Sequence, residues 1–277
     1  MIYDLQKANF WKRISAFLLD IILLSIFSVG FALLISKVVG YDQKQQAYEK
    51  YIADTEEEYG IVFDITESEY NSYSEEEKAK YDAALAALNA NDKAVGLYNI
   101  LINLTLIMVT GGILLSYLIL EFFIPLAFKN GQTLGKKVFG IALMRSDGVR
   151  INGPILFIRT ILGKYAVETM IAAYILIMFF FGQADIFLVI LFCLIPLSNI
   201  ILLIATKTNS MIHDLLAKTV AVDFASQKIF DGPEDLIEYK TRIHREMVEN
   251  QGETAFKAKL LSFDGQDYTN KNEGADQ

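Results

Sequence analysis

One cysteine among 277 residues, Cys193, excludes an internal disulfide, and no Cys/His spacing of the zinc type accompanies it. Set inside an apolar run, this thiol reads as a small buried residue. The common catalytic signatures are missing too. There is no nucleophile elbow, no H-E-x-x-H helix and no phosphate loop, since "GQTLGKK" lacks the G-x-x-x-x-G-K-[ST] spacing. No ten-residue alternation suggests a membrane barrel, and no internal repeat is found. The chain is therefore expected not to be an enzyme, to need no cofactor or metal, and to have no nucleic-acid partner.

What is present is apolarity. Hydrophobic residues make up 53% of the chain and charged ones 21%, a combination that fits only if the two are segregated along the sequence. They are. Apolar runs near 14–36, 97–128, 165–182 and 186–205 each reach about the 17–25 residues that a bilayer-crossing helix needs. The fold class expected is an all-α membrane protein with four transmembrane helices. A cleaved signal peptide is the alternative for the first run, with Lys7, Lys12 and Arg13 as its basic flank. The run exceeds a usual apolar core of about 7–15 residues and no A-x-A site follows, so a retained span is expected.

Charge orients the spans. Residues 129–164 hold seven Lys/Arg and only Asp147, net +6, whereas 40–96 hold fourteen Asp/Glu against five Lys, net −9. By the positive-inside rule the basic segment and both termini are expected in the cytosol, and the acidic insert outside. The expected units are residues 1–39 (N-terminus and span 1), 40–96 (acidic helical cap), 97–128 (span 2), 129–164 (basic segment with an interfacial helix), 165–206 (spans 3 and 4, joined by a turn at 182–185) and 207–277 (a His-Asp motif and acidic tail).

The cap carries two capping boxes, Thr66 with Glu69 and Ser74 with Glu77, in which hydroxyl and carboxylate satisfy the first free N–H groups of a helix. In the basic segment, Ser146-Asp147-Gly148 between "FGIALM" and "VRI" predicts a short hairpin or irregular turn. Asn152-Gly153-Pro154 predicts a helix start. Lys136, Lys137 and Arg159 are expected at the membrane interface, Arg159 by snorkelling to the headgroups. Gly111-Gly112 predicts close helix packing. Pro196 predicts a kink in span 4, with Asn199 covering a freed carbonyl or facing polar neighbours. A helix is expected over 235–250, and disorder at the end, 264–277.

The charges inside the apolar runs carry the functional question. Arg13 and Asp20 stand seven residues apart, so they share one helix face about 10 Å apart along the axis, too far for a direct pair. A mid-membrane Asp costs about 2.5–3.5 kcal/mol on insertion scales, so each needs a partner from another helix. Glu121, Glu168, His213 and Asp214 fall at the same depth once the four spans are folded. An inner-leaflet cluster of Arg13, Asp20, Glu121, Glu168, His213 and Asp214 is expected, with Arg159 as a candidate further member. It reads as a network fixing helix register, as a cation or proton site, or as a catalytic centre.

"RISAFLLD" resembles the R-x-x-A-x-x-x-D opening of the RDD family, named for one arginine and two aspartates. Arg13 and Asp20 match the arginine and the first aspartate. "NGQTLGKKVFGIALMRSDG" is similar to the family's G-x-T-x-G-K segment, and "MIHDLLAKTVAV" to its H-D-x-x-x-x-T-x-V ending, with Asp214 as the second aspartate. The resemblance spans 10–38 and about 97–224, and leaves the acidic insert and the tail outside. It implies a multi-pass protein of the bacterial plasma membrane, with the lipid bilayer as one partner. It also implies transport of a small solute, monovalent cation or proton, some members being described as sodium/proton antiporters. An accessory role beside another membrane protein is the alternative. Four spans are few for a transporter, so a homo-oligomer or a partner membrane protein is expected.

Overall fold

This computed structural model describes residues 5–180 and 185–249. The turn expected at 182–185 falls mostly, and the disordered end wholly, outside the described residues. The chain is predominantly helical. Helix α1 (Phe10–Val39) starts at Asn9, whose side chain accepts from the Trp11 amide, and stops at Gly40, which takes a left-handed conformation. Helix α2 (Tyr41–Tyr59) continues at once, so a glycine break separates the apolar helix from its charged extension. Helices α3 (Glu67–Ser72) and α4 (Glu75–Ala90) follow, and both capping boxes are formed, with Thr66 and Ser74 each accepting from an N3 amide and receiving the N3 carboxylate in return.

Asn91 caps α5 (Asp92–Ser116), which runs into a π-helical segment, Tyr117–Phe123, and then α6 (Ile124–Phe128). Helices α1 and α5 pack closely along their length. Gly112 makes this possible, because an added Cβ there would lie 2.7 Å from the Ser28 carbonyl oxygen. α2, α4 and α5 form a small helical unit at one end of this pair, with Tyr48 and Tyr98 ring centroids 5.7 Å apart.

Next come α7 (Leu134–Val138), strand β1 (Ile141–Arg145), α8 (Gly153–Phe157), a π-helical segment Ile158–Met170, α9 (Ile171–Phe180), α10 (Ile186–Ala205), α11 (Ile212–Leu216) and strand β2 (Thr219–Asp223). A further helix covers 233–249. The mostly helical fold carries one two-stranded ribbon among the described residues. β1 and β2 form an antiparallel pair, with Ile141 opposite Asp223 and Arg145 opposite Thr219. The turn at Ser146–Gly148 is present, but the main partner of β1 is β2, and Arg150 returns to Met144 through a single bridge. Both faces of the ribbon are covered, which is why "IALM" and "TVAV" read as continuous apolar runs without alternation. Leu143 and Ala221 pack with Ala16 and Leu156, while Met144 and Val222 pack with Leu5 and Ile229. The 233–249 helix docks through Leu236 onto Val149 and Phe230.

Among the described residues, three helices are long and apolar enough to cross a membrane: Phe10–Val39, Asp92–Phe128 and Ile186–Ala205. The segment expected as a further span is continuous helix from Gly153 to Phe180. Its π-helical stretch carries Arg159, Lys164 and Glu168.

Candidate functional site

Four acid–base groupings meet where the apolar helices join the β1–β2 ribbon. Asp214, on the short helix α11, is 1% exposed and lies between two arginines. Arg159 donates to its Oδ1 through Nε (3.0 Å) and Nη2 (2.9 Å), and Arg13 Nη2 approaches its Oδ2 at 3.5 Å. The Met211 amide and the Thr219 hydroxyl donate to the same carboxylate. Burial alone would raise the Asp214 carboxyl; Arg159, His213 and Arg13 together reverse this and hold it below the usual carboxylate range. Arg13 also donates to the Asn209 carbonyl at 2.6 Å. Snorkelling of Arg159 is therefore corrected: the side chain is 3% exposed and turned inward, where its guanidinium makes charge-assisted hydrogen bonds to a buried carboxylate.

Asp20, one-tenth exposed, does not meet Arg13. It accepts from the Thr133 hydroxyl and from the Gly135 amide at 2.8 Å, at the start of α7. An added Cβ at Gly135 would collide with the Ala16 carbonyl, so only glycine lets α7 sit this close to α1. Lys136 is drawn in as well, with its Nζ 3.7 Å from Asp20 and 3.1 Å from Thr133 Oγ1. Burial depresses its ammonium to about 8 against the pull of Glu121 and Asp20. Of the two lysines expected at the interface, then, Lys136 belongs to the buried network and Lys137 stays exposed, 3.8 Å above the Phe128 ring.

Glu121 and Lys164 face each other from the two π-helical segments at 2.6 Å, and the Thr160 hydroxyl donates to the Glu121 carbonyl. π-Helical turns concentrate at functional positions, and here they carry both members of an ion pair. His213 Nδ1 lies 2.9 Å from Glu168 Oε1, which also accepts from the His213 amide. Burial pushes the His213 imidazole down, so the ring is neutral at neutral pH. Gly163 lets α11 pack against this helix, since a Cβ there would come within 2.7 Å of His213 Cβ. Asn199 accepts from the Ile212 amide at 2.9 Å, tying α10 to the start of α11.

The six residues expected to cluster are thus brought together, in pairs. Four cations (Arg13, Lys136, Arg159, Lys164) stand among four carboxylates (Asp20, Glu121, Glu168, Asp214). Sequence reasoning left out Lys164, Thr133 and Gly135. The signal for the last two was the G-x-T-x-G-K segment itself, and for Lys164 its four-residue spacing from Glu168. Two adjacent cavities open onto the network, one of about 420 Å³ between α1, the π-helical segments and α10, and one of about 50 Å³ nearer the ribbon. Among the described residues, no group of three or more His, Cys, Asp or Glu is placed to hold a metal ion.

Long apolar helices that enclose a charge network of this kind define a helical membrane protein with an internal polar site. The RDD family profile matches residues 7–218, well over half of the chain, and the protein belongs to the RDD family. No curated protein and no solved structure matches it.

Proposed function

We propose that this protein is a four-span plasma-membrane transporter of a small solute, coupled to protons, with both termini in the cytosol. The span count rests on the helix that continues through Glu168 to Phe180, and the orientation on the basic 129–164 segment. The observation that carries the reading is the cavity of about 420 Å³, apolar over most of its wall, onto which Asp20, Glu121, Lys164 and Glu168 open. Ligand sites have this size and this composition, and ionisable groups at membrane depth mark solute and proton pathways.

The pairings refine the roles. Asp214 is held by two arginines and Asp20 by α7, so both serve to position the cytosolic segments. Glu168 faces a neutral histidine and borders the cavity, which makes Glu168–His213 the proton-handling pair. Reconstitution in liposomes tests this: solute- or ion-gradient-driven proton flux above that of empty vesicles, with at least a tenfold loss in Glu168→Gln, supports it. No flux from folded wild type overturns it. One observation favours the accessory reading instead. Four cations offset four carboxylates, so the network could be complete in itself. Flux absent with a membrane partner co-purifying would be the outcome of that reading.

A further inference from the structure

The two cavities share Asp20 and Lys164 on their walls, yet the protein has sorted its charges between them. The larger is bordered by three carboxylates, Asp20, Glu121 and Glu168, with Lys164 as its one cation among the described residues. The smaller reverses this: Arg13, Lys136, Arg159 and Lys164 line it, and Asp20 is its one carboxylate among the described residues. We propose that the smaller cavity is a binding site for a single small monovalent anion of halide size, held by the N–H groups of these four cations.

A lysine ammonium carries three N–H groups and a guanidinium five, none of which can act as an acceptor. Around the cavity, Lys136 Nζ donates to Thr133 Oγ1, and Lys164 Nζ contacts Glu121. Arg159 directs Nε and Nη2 to Asp214, and Arg13 has the Asn209 carbonyl and the far oxygen of Asp214. All four side chains are about nine-tenths buried or more, so their charge depends on acceptors supplied from within the protein or its cavities. Buried donors without acceptors are costly, and more so when charged.

The cavity at their centre is about 50 Å³, several times the roughly 10–15 Å³ that one water requires. Water accepts about two hydrogen bonds and brings no charge. A halide accepts from several N–H groups at once and screens four like charges from one another. Asp214, which pairs with both arginines, is not on the wall of this cavity, and Glu121 and Glu168 border the other one. The wall of the smaller cavity therefore carries four cationic side chains against the one carboxylate of Asp20 among the described residues. The inference uses the same cluster as the transport reading but does not need transport: halide binding without flux would sustain it, and flux without halide binding would overturn it alone.

The test uses the full-length protein in a neutral detergent free of anionic lipid. Melting is followed in sodium chloride, sodium bromide and sodium gluconate at equal ionic strength, gluconate being too large for the cavity. Chloride and bromide should raise the midpoint saturably by about 5 °C or more over gluconate. Lys136→Gln should abolish the halide increment, while Lys137→Gln, on the exposed side of α7, should keep it. Equilibrium dialysis of wild type with radioactive chloride should approach one ion per chain, whether or not the Lys136 variant folds. Equal midpoints in all three salts, or no retained chloride, would mean that the cavity holds water only and would overturn the proposal.

Discussion

Removing the charge of Asp214 should be the most damaging single change in the network. Asp214→Asn keeps the shape but only one of the two acceptor oxygens, of which Thr219 uses Oδ1 and the Met211 amide Oδ2. It leaves Arg13 and Arg159 buried, facing each other with no carboxylate between them. Breaking a buried pair by deleting one partner costs about 3–5 kcal/mol, mainly the cost of the stranded charge. At about 2–4 °C per kcal/mol for a chain of this size, the melting midpoint in micelles should fall by about 6–20 °C. Arg159→Met should cost less, because Arg13 remains 3.5 Å from Asp214 and keeps a one-to-one pair. The double variant should be destabilised by less than the sum of the singles, with a coupling of about 1–3 kcal/mol. An Asp214→Asn protein melting within 2 °C of wild type, taken as about 1 kcal/mol or less, would refute the reasoning. So would an Arg159→Met protein that is the weaker of the two.

Three further outcomes follow from other contacts. Gly135→Ala should push α7 off α1 and cost about 1–3 kcal/mol, read as faster proteolysis within residues 129–140 together with a lower midpoint. His213 has a depressed pKa in the folded protein, so its contribution is fully present above about pH 6.5, its unfolded value, and is lost as pH falls through the folded value. Midpoints should therefore decline on acidification below about 6.5, and His213→Gln should flatten that part of the profile. Ser74→Ala removes a capping box, so amides in the first turn of α4 should exchange about fivefold faster while the α1–α5 pair is unaffected.

Much of the architecture was legible because it follows from local chemistry. The apolar runs, the two capping boxes, the helix start at Asn152 and the tail helix are each set by neighbouring residues, and each is formed. The pairing of β1 with β2 was not legible. The two strands are far apart in sequence, and a ribbon covered on both faces shows no alternation. Much of the cluster's membership could be read from depth, since charges inside apolar helices must converge, but Lys136 and Lys164 could not. The partners within it could not, because they depend on which way each side chain turns. Arg159 shows the difference: an arginine near the end of a span can reach the headgroups or an internal carboxylate, and only the position of α11 decides.

The spacing of Arg13 and Asp20 acquires a mechanical meaning from these contacts. Both project from one face of α1, and each holds a different distant segment: Arg13 the Asn209–Asp214 stretch after α10, Asp20 the Thr133–Gly135 stretch that opens α7. Those two stretches lead into β2 and β1 respectively, so a single helix face sets the strands side by side. The same two contacts border the small cavity, whose wall includes Ile141 from β1 and Ala221 from β2. Any change in the charge held there acts on both contacts at once. A ligand in that cavity would therefore bias how firmly the β1–β2 ribbon is held against α1, and Lys136, which touches the Asp20 contact and the cavity together, is the residue through which the bias would pass.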